Sequence, residues 1–224
     1  NCGVRLLRTD YREKDISAKR RELLTEIFKE VPAGVGKGGI TKLSRSVLLE
    51  ILTKGAEWAV ENGYGTKEDL LLTEENGRMK DADPSYLSSR ALERGIPQLG
   101  TLGSGNHFLE IQKVEKIYNR EIARVFGIDE EGQILVMIHC GSRGLGHQVA
   151  TDFIELMENK IGTKGLPDRE LIHAPIKSPL GQQYYKSMCA AVNYAFANRQ
   201  MIAHWVRDVF AKVLGSSAGM RQIY

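Results

Sequence analysis

Gln133-Ile134-Leu135-Val136-Met137-Ile138 runs straight into His139-Cys140-Gly141-Ser142-Arg143-Gly144-Leu145-Gly146-His147. The first six residues are apolar, rich in β-branched side chains and preceded by the acidic turn Asp129-Glu130-Glu131-Gly132. That pattern predicts a buried β-strand. Alternation puts His139 on the face of Leu135 and Met137, and Cys140 on the other face. His139 therefore ends a rigid strand at the mouth of a glycine-rich turn, where functional side chains are often presented. The small residues open room for a ligand, and Arg143 in that room suits a phosphate. A histidine here also fits a purely structural role, and Cys140 is expected to be structural.

A second stretch has the same character: Gly100-Thr101-Leu102-Gly103-Ser104-Gly105-Asn106-His107-Phe108-Leu109-Glu110. Glycine lets backbone approach a ligand and adopt positive φ. Asn, His and Glu follow, all able to bind metals, protons or polar ligands. A regular strand from Asn106 would put Asn106, Phe108 and Glu110 on one face and His107 on the other. The first face suits a planar base; the second offers a metal ligand. Uniting them requires the glycines to distort the backbone. The alternative is a plain strand with one buried histidine and solvated polar groups.

Cys2 lies in the apolar start Cys2-Gly3-Val4-Arg5-Leu6-Leu7, read as a short strand to Arg8. Alone it reads as a small buried hydrophobe. With His107 and His139 it would make a soft Cys/His site, suited to zinc, or to manganese, iron or copper if carboxylates join.

Further out, helices are expected over Ala18–Glu30 (capped by Asp15 or Ser17, with Leu23, Leu24, Ile27 and Phe28 as one apolar face), Ser44–Glu61, Ser85–Glu93, Tyr118–Phe126, Gln148–Lys160 and Leu180–Leu214. On the last, Asn193, Asn198, Arg199 and Gln200 form a polar cluster among apolar residues, either a surface face or a site-facing one. His204 is expected to pack, and His147 and His173 have weaker contexts. Gly34-Val35-Gly36-Lys37-Gly38-Gly39 lacks the spacing of a Walker A loop. It reads as a connection, or as a phosphate or RNA contact through Lys37.

The 224 residues carry 31 Lys and Arg against 28 Asp and Glu, a net charge of +3, which argues for no particular polyanionic partner. No apolar run is long enough to span a bilayer, and no secretory leader is visible. The three cysteines, Cys2, Cys140 and Cys189, are widely spaced, which points to a reducing, cytoplasmic setting. The chain is expected to be a single α/β (mixed α+β) catalytic-domain fragment over residues 1–224, cut at both ends.

Asn1-Cys2-Gly3-Val4-Arg5, Gly100 to Glu110, His139 to Gly146 and Asn193-Tyr194-Ala195-Phe196-Ala197-Asn198-Arg199 together resemble the RtcB family of tRNA-splicing RNA ligases. The resemblance implies layered, largely antiparallel sheets with flanking helices. It implies an enzyme that joins an RNA 3′-phosphate or 2′,3′-cyclic phosphate to a 5′-hydroxyl, using GTP and Mn2+ (two ions in the complete site) through a histidine guanylate. It implies Cys2, His107 and His139 as metal ligands, Asn106, His107, Phe108, Leu109 and Glu110 as the GTP segment, and Arg94 and Arg143 as RNA-phosphate contacts. The guanylylated histidine is expected beyond Tyr224, so these residues alone should not ligate. RNA (tRNA halves or broken RNA) and the activator archease are the implied partners, with no membrane. A metal-dependent phosphoesterase and a non-catalytic RNA-binding module are the alternatives.

Overall fold

The computed structural model describes residues 2–34, 43–217 and 219–224. The glycine-rich stretch around Lys37 mostly lies outside them. The strands are β1 (Cys2–Arg12), β2 (Phe108–Lys113), β3 (Gln133–Gly141) and β4 (Arg221–Gln222). They form one antiparallel sheet in the order β2-β3-β1-β4. The helices are α1 (Glu13–Ile16), α2 (Arg20–Glu30), α3 (Arg45–Lys54), α4 (Ala56–Glu61), α5 (Lys67–Leu71), α6 (Ser89–Gly95), α7 (Arg120–Val125), α8 (Arg143–Ile161) and α9 (Pro179–Leu214). The mixed class and the antiparallel sheet are as expected. Among the described residues no helix is long and apolar enough to cross a membrane.

β3 is the expected buried strand, carried on to Gly141. β1 is longer than expected. Its register on β3 shifts between Arg8 and Arg12, and there the Thr9 hydroxyl donates to the Ile134 carbonyl, so the strand continues past the irregularity. One face of the sheet carries Leu7, Val136, Ile138 and Cys140 and packs on α9 and α2. The other carries Val4, Leu6, Met137 and His139.

α9 organises both cores. Ser178 caps it by accepting from Gly181 N, Pro179 takes the first turn, and Gly215 ends it with φ +83°. Its 36 residues run about 54 Å. Ala190, Ala191, Tyr194, Ala197 and Met201 pack with α3, α4, α6 and α8, whereas Ile202, Val206, Val209, Phe210 and Val213 pack on the sheet. The gap in its apolar spacing is where it passes from one core to the other. Asn193, Asn198, Arg199 and Gln200 occupy that passage and are all buried, so they are not a surface face.

Several boundaries differ from expectation. Ser44–Glu61 is two helices, broken at Gly55, where φ is +61°. A methyl there would stand 2.3 Å from the Gly77 carbonyl oxygen. Asn193 fills the break: its Nδ2 donates to the carbonyls of Leu52, Thr53 and Met79, and its Oδ1 accepts from Met79 N. The helix expected from Ala18 begins as α at Arg20, after a 3₁₀ turn, while Asp15 caps α1 through Arg12 N. Its apolar face is narrower than expected. Leu23 and Ile27 are buried against α9, but Leu24 and Phe28 are 50% and 72% exposed. A lone i, i+4 stripe suffices for that contact. Ser85–Glu93 divides into a 3₁₀ turn and α6, which Ser88 caps. α8 starts at Arg143, five residues before the expected Gln148, so the glycine-rich turn is the first turn of a helix.

Candidate metal centre

The sheet register decides the geometry. Val4 and Phe108 both pair with His139, from β1 and β2 respectively. Antiparallel partners share a face. Cys2, two residues before Val4, lies on that face too. His107 precedes β2, in a loop where Gly103 and Gly105 have φ of +106° and +72°. The loop breaks the alternation, so His107 and Phe108 both reach His139: the His107 and His139 ring centroids are 5.6 Å apart, those of Phe108 and His139 5.4 Å. Cys2 Sγ lies 3.1 Å from His107 Nε2. The potential ligand atoms of Cys2, His107 and His139 all fall within 4.8 Å of one another. Among the described residues no other trio of His, Cys, Asp and Glu is gathered this way.

The donors fit a metal. In a tetrahedral centre with bonds of about 2.0–2.3 Å, ligand atoms are about 3.3–3.8 Å apart, close to the spacing found here. A thiolate and two imidazoles are borderline-soft donors. Burial, then the Arg143 cation and His139, hold the His107 imidazole below its ordinary value of 6.5, so it is neutral and able to ligate at neutral pH. Burial pushes the Cys140 thiol up to about 11, which suits its structural role behind the sheet.

Arg143 sits at the start of α8 with φ +51°, a strained value for a residue with a Cβ. Its Nε donates to Thr101 Oγ1, and its Nη1 lies 3.5 Å from His107 Nδ1. Arg94 comes to the same helix end, donating to Gln148 Oε1 and lying beside Gly144. A side chain on Gly144 would collide with Gln98 Oε1, which accepts from Gly144 N.

The nucleotide segment is split by the pleat. Asn106 and Glu110 are exposed, and Gln112 Nε2 donates to Glu110. Leu109 pairs with Ile138 and packs toward the core, away from the face of His139. His147, His173 and His204 do not join the cluster. His204 packs edge-on against Tyr64 and pairs with Asp208. Sequence reasoning missed Gln98 and Thr101 as supports, because each depends on a partner distant in the chain.

Residues 2–224 match the family described as tRNA-splicing ligase RtcB. The chain belongs to the RtcB family. It is similar to proteins named tRNA-splicing ligase RtcB from Pyrobaculum aerophilum (54% identical over 100% of this chain and 47% of that protein) and Archaeoglobus fulgidus (52%, over 100% and 47%). It is likewise similar to the protein of that name from Methanocaldococcus jannaschii (54%, over 95% of this chain and 22% of that protein). The chain thus spans about half, or less, of the length of these curated RtcB relatives.

Proposed function

We propose that the protein bearing this chain is an RNA ligase that joins 3′-phosphate or 2′,3′-cyclic-phosphate RNA ends to 5′-hydroxyl ends, with GTP and Mn2+. The convergence of Cys2, His107 and His139 beside Arg143 carries the reading. Membership of the RtcB family supports it. A terminal phosphate is a poor point of attack; joined to GMP it becomes a diphosphate whose GMP half can leave. A covalent histidine guanylate divides that transfer into easier steps. The nucleophilic histidine is supplied by residues outside this chain.

Cys2, His107 and His139 would hold the metal, which supplies charge neutralisation at phosphate oxygens. Arg143 and Arg94 bind RNA phosphate at the start of α8, where backbone N–H groups also favour anions. Phe108 orients His139, and Asn106 and Glu110 offer polar groups to the guanosine. The three free cysteines suit a cytoplasmic protein. An archease-type activator is a further proposed partner.

The same donors beside Arg143 would also serve phosphate-ester hydrolysis, which needs no GTP. Incubation with GTP radioactive at the α-phosphate, in Mn2+, separates the readings. The complete protein should take up an acid-labile label, and residues 1–224 alone should not. Label on this chain alone would place the nucleophile among its own five histidines. No label on either, both folded and metal-loaded, favours the phosphoesterase.

A further inference from the structure

Three segments carry the cluster: the start of β1, the Gly100–His107 loop and the end of β3. On the site face Arg143 holds the loop at Thr101 and His107, and Phe108 stacks on His139. Behind the sheet, two consecutive residues of α9 touch all three. Asn198 Oδ1 accepts from Gly100 N (2.6 Å) and Thr101 N (3.2 Å), and its Nδ2 donates to Thr101 O, Gly141 O and Cys140 Sγ. It thereby ties the His107 loop to the end of β3. Arg199 Nη1 donates to the Cys140 carbonyl, next to His139. Its guanidinium lies flat beneath Gly3, where a methyl would meet Cζ at 3.0 Å, and over the Phe196 ring. It thereby spans from β3 to the residue after Cys2.

Both are nearly inaccessible, at 0% and 5% exposure. Among the described residues no carboxylate forms an ion pair with Arg199. A buried guanidinium without a counter-ion is costly to keep. Burial and the adjacent Arg199 cation already pull Arg5 down to about 9. An apolar residue would fill the same space at lower cost, so packing does not explain Arg199.

We propose that Asn198 and Arg199 are positioning residues that set the separations of Cys2, His107 and His139, and through them metal affinity. This rests on reading those three as metal ligands. Outer-shell partners of metal sites typically contribute about 10–100-fold in affinity.

Co2+ titration of the complete protein, followed by the thiolate-to-cobalt absorption, tests it. Wild type should show the band and Cys2→Ala should lose it; no band in wild type, or a band kept by Cys2→Ala, removes the metal reading and the proposal with it. Arg199→Lys keeps the charge but not the planar span, and should weaken Co2+ about 10–100-fold. Gly3→Ala displaces the guanidinium from a half-buried position and should act in the same direction; it decides the matter if Arg199→Lys does not fold. Asn193→Ser breaks a different buried amide network of α9, away from the site, and should cost stability with no change in Co2+ affinity. Wild-type affinity in folded Arg199→Lys or Gly3→Ala overturns the proposal. So does an equal loss in Asn193→Ser, since that would make the effect one of general destabilisation.

Discussion

Phe108 and His139 face each other across the β2–β3 pair and stack, with ring planes 26° apart. One side of the Phe108 ring is thus committed to holding an imidazole. Its first task is to fix that imidazole, and any contact with a base must use what remains of the ring. Phe108→Ala should lower Co2+ or Mn2+ affinity about 10-fold, as loss of an outer-shell support does. Isothermal titration checks this; unchanged metal affinity with weaker GTP binding would assign Phe108 to the base alone.

Metal binding should also depend on pH in a defined direction. His107 is held below 6.5, first by burial, then by Arg143 and His139. Protons therefore compete with metal only at a pH below the range of a free imidazole. Arg143→Gln removes one depressing charge, so the pH at which half the Co2+ is lost should rise. A midpoint that stays put or falls would show that Arg143 does not act on His107.

The backbone at Arg143 makes a separate prediction. With φ at +51°, any residue bearing a Cβ is strained there, and glycine is not. Arg143→Gly should be more stable than Arg143→Ala by about 1 kcal/mol in urea unfolding, and both should lose RNA affinity. A glycine variant no more stable than the alanine one would show that the strain is not present in solution.

These features mark where the sequence was readable and where it was not. The β3 run and the place of His139 at its end were legible because alternation is a local signal; Cys2, which alone reads as buried but is exposed, was assigned with His107 and His139 as a ligand set only by the family resemblance. The break at Gly55 was not, since it depends on Asn193, which meets it only after the chain has folded back. The start of α8 was hidden by Gly144 and Gly146, which disfavour helix locally but allow close packing against Gln98 and Ser142. Leu24 and Phe28 fit a helical period yet face outward, because period alone does not say how wide a contact is.

Gly55 offers a test of that hidden break. Gly55→Ala adds a methyl 2.3 Å from the Gly77 oxygen at positive φ, and should cost about 2–4 kcal/mol. Thermal unfolding at near-wild-type temperature would contradict the close approach.

Asp69 anchors the other end of the fold. Burial pushes its carboxyl up, but a two-pronged Arg207 contact, Thr66 N and Gln200 outweigh that and bring it to about 2, below the ordinary 3.8. The sign follows: this stabilisation is complete above pH 3.8 and is lost as pH falls through about 2. Asp69→Asn should cost about 2 kcal/mol at pH 7, because the partly buried Arg207 loses its partner, and the difference should shrink toward pH 2. Equal stability at pH 7 would mean that the pair contributes nothing.

The most direct measurement is RNA joining by the complete protein. A 3′-phosphate strand and a 5′-hydroxyl strand are supplied with Mn2+, with and without GTP, and Cys2→Ala, His107→Ala and His139→Ala are compared with wild type. Joined RNA should form only with GTP, and each substitution should abolish it while the protein stays folded. Joining that survives loss of His107 or His139, or release of inorganic phosphate without GTP and without joined product, would contradict the assignment of this cluster to a ligase.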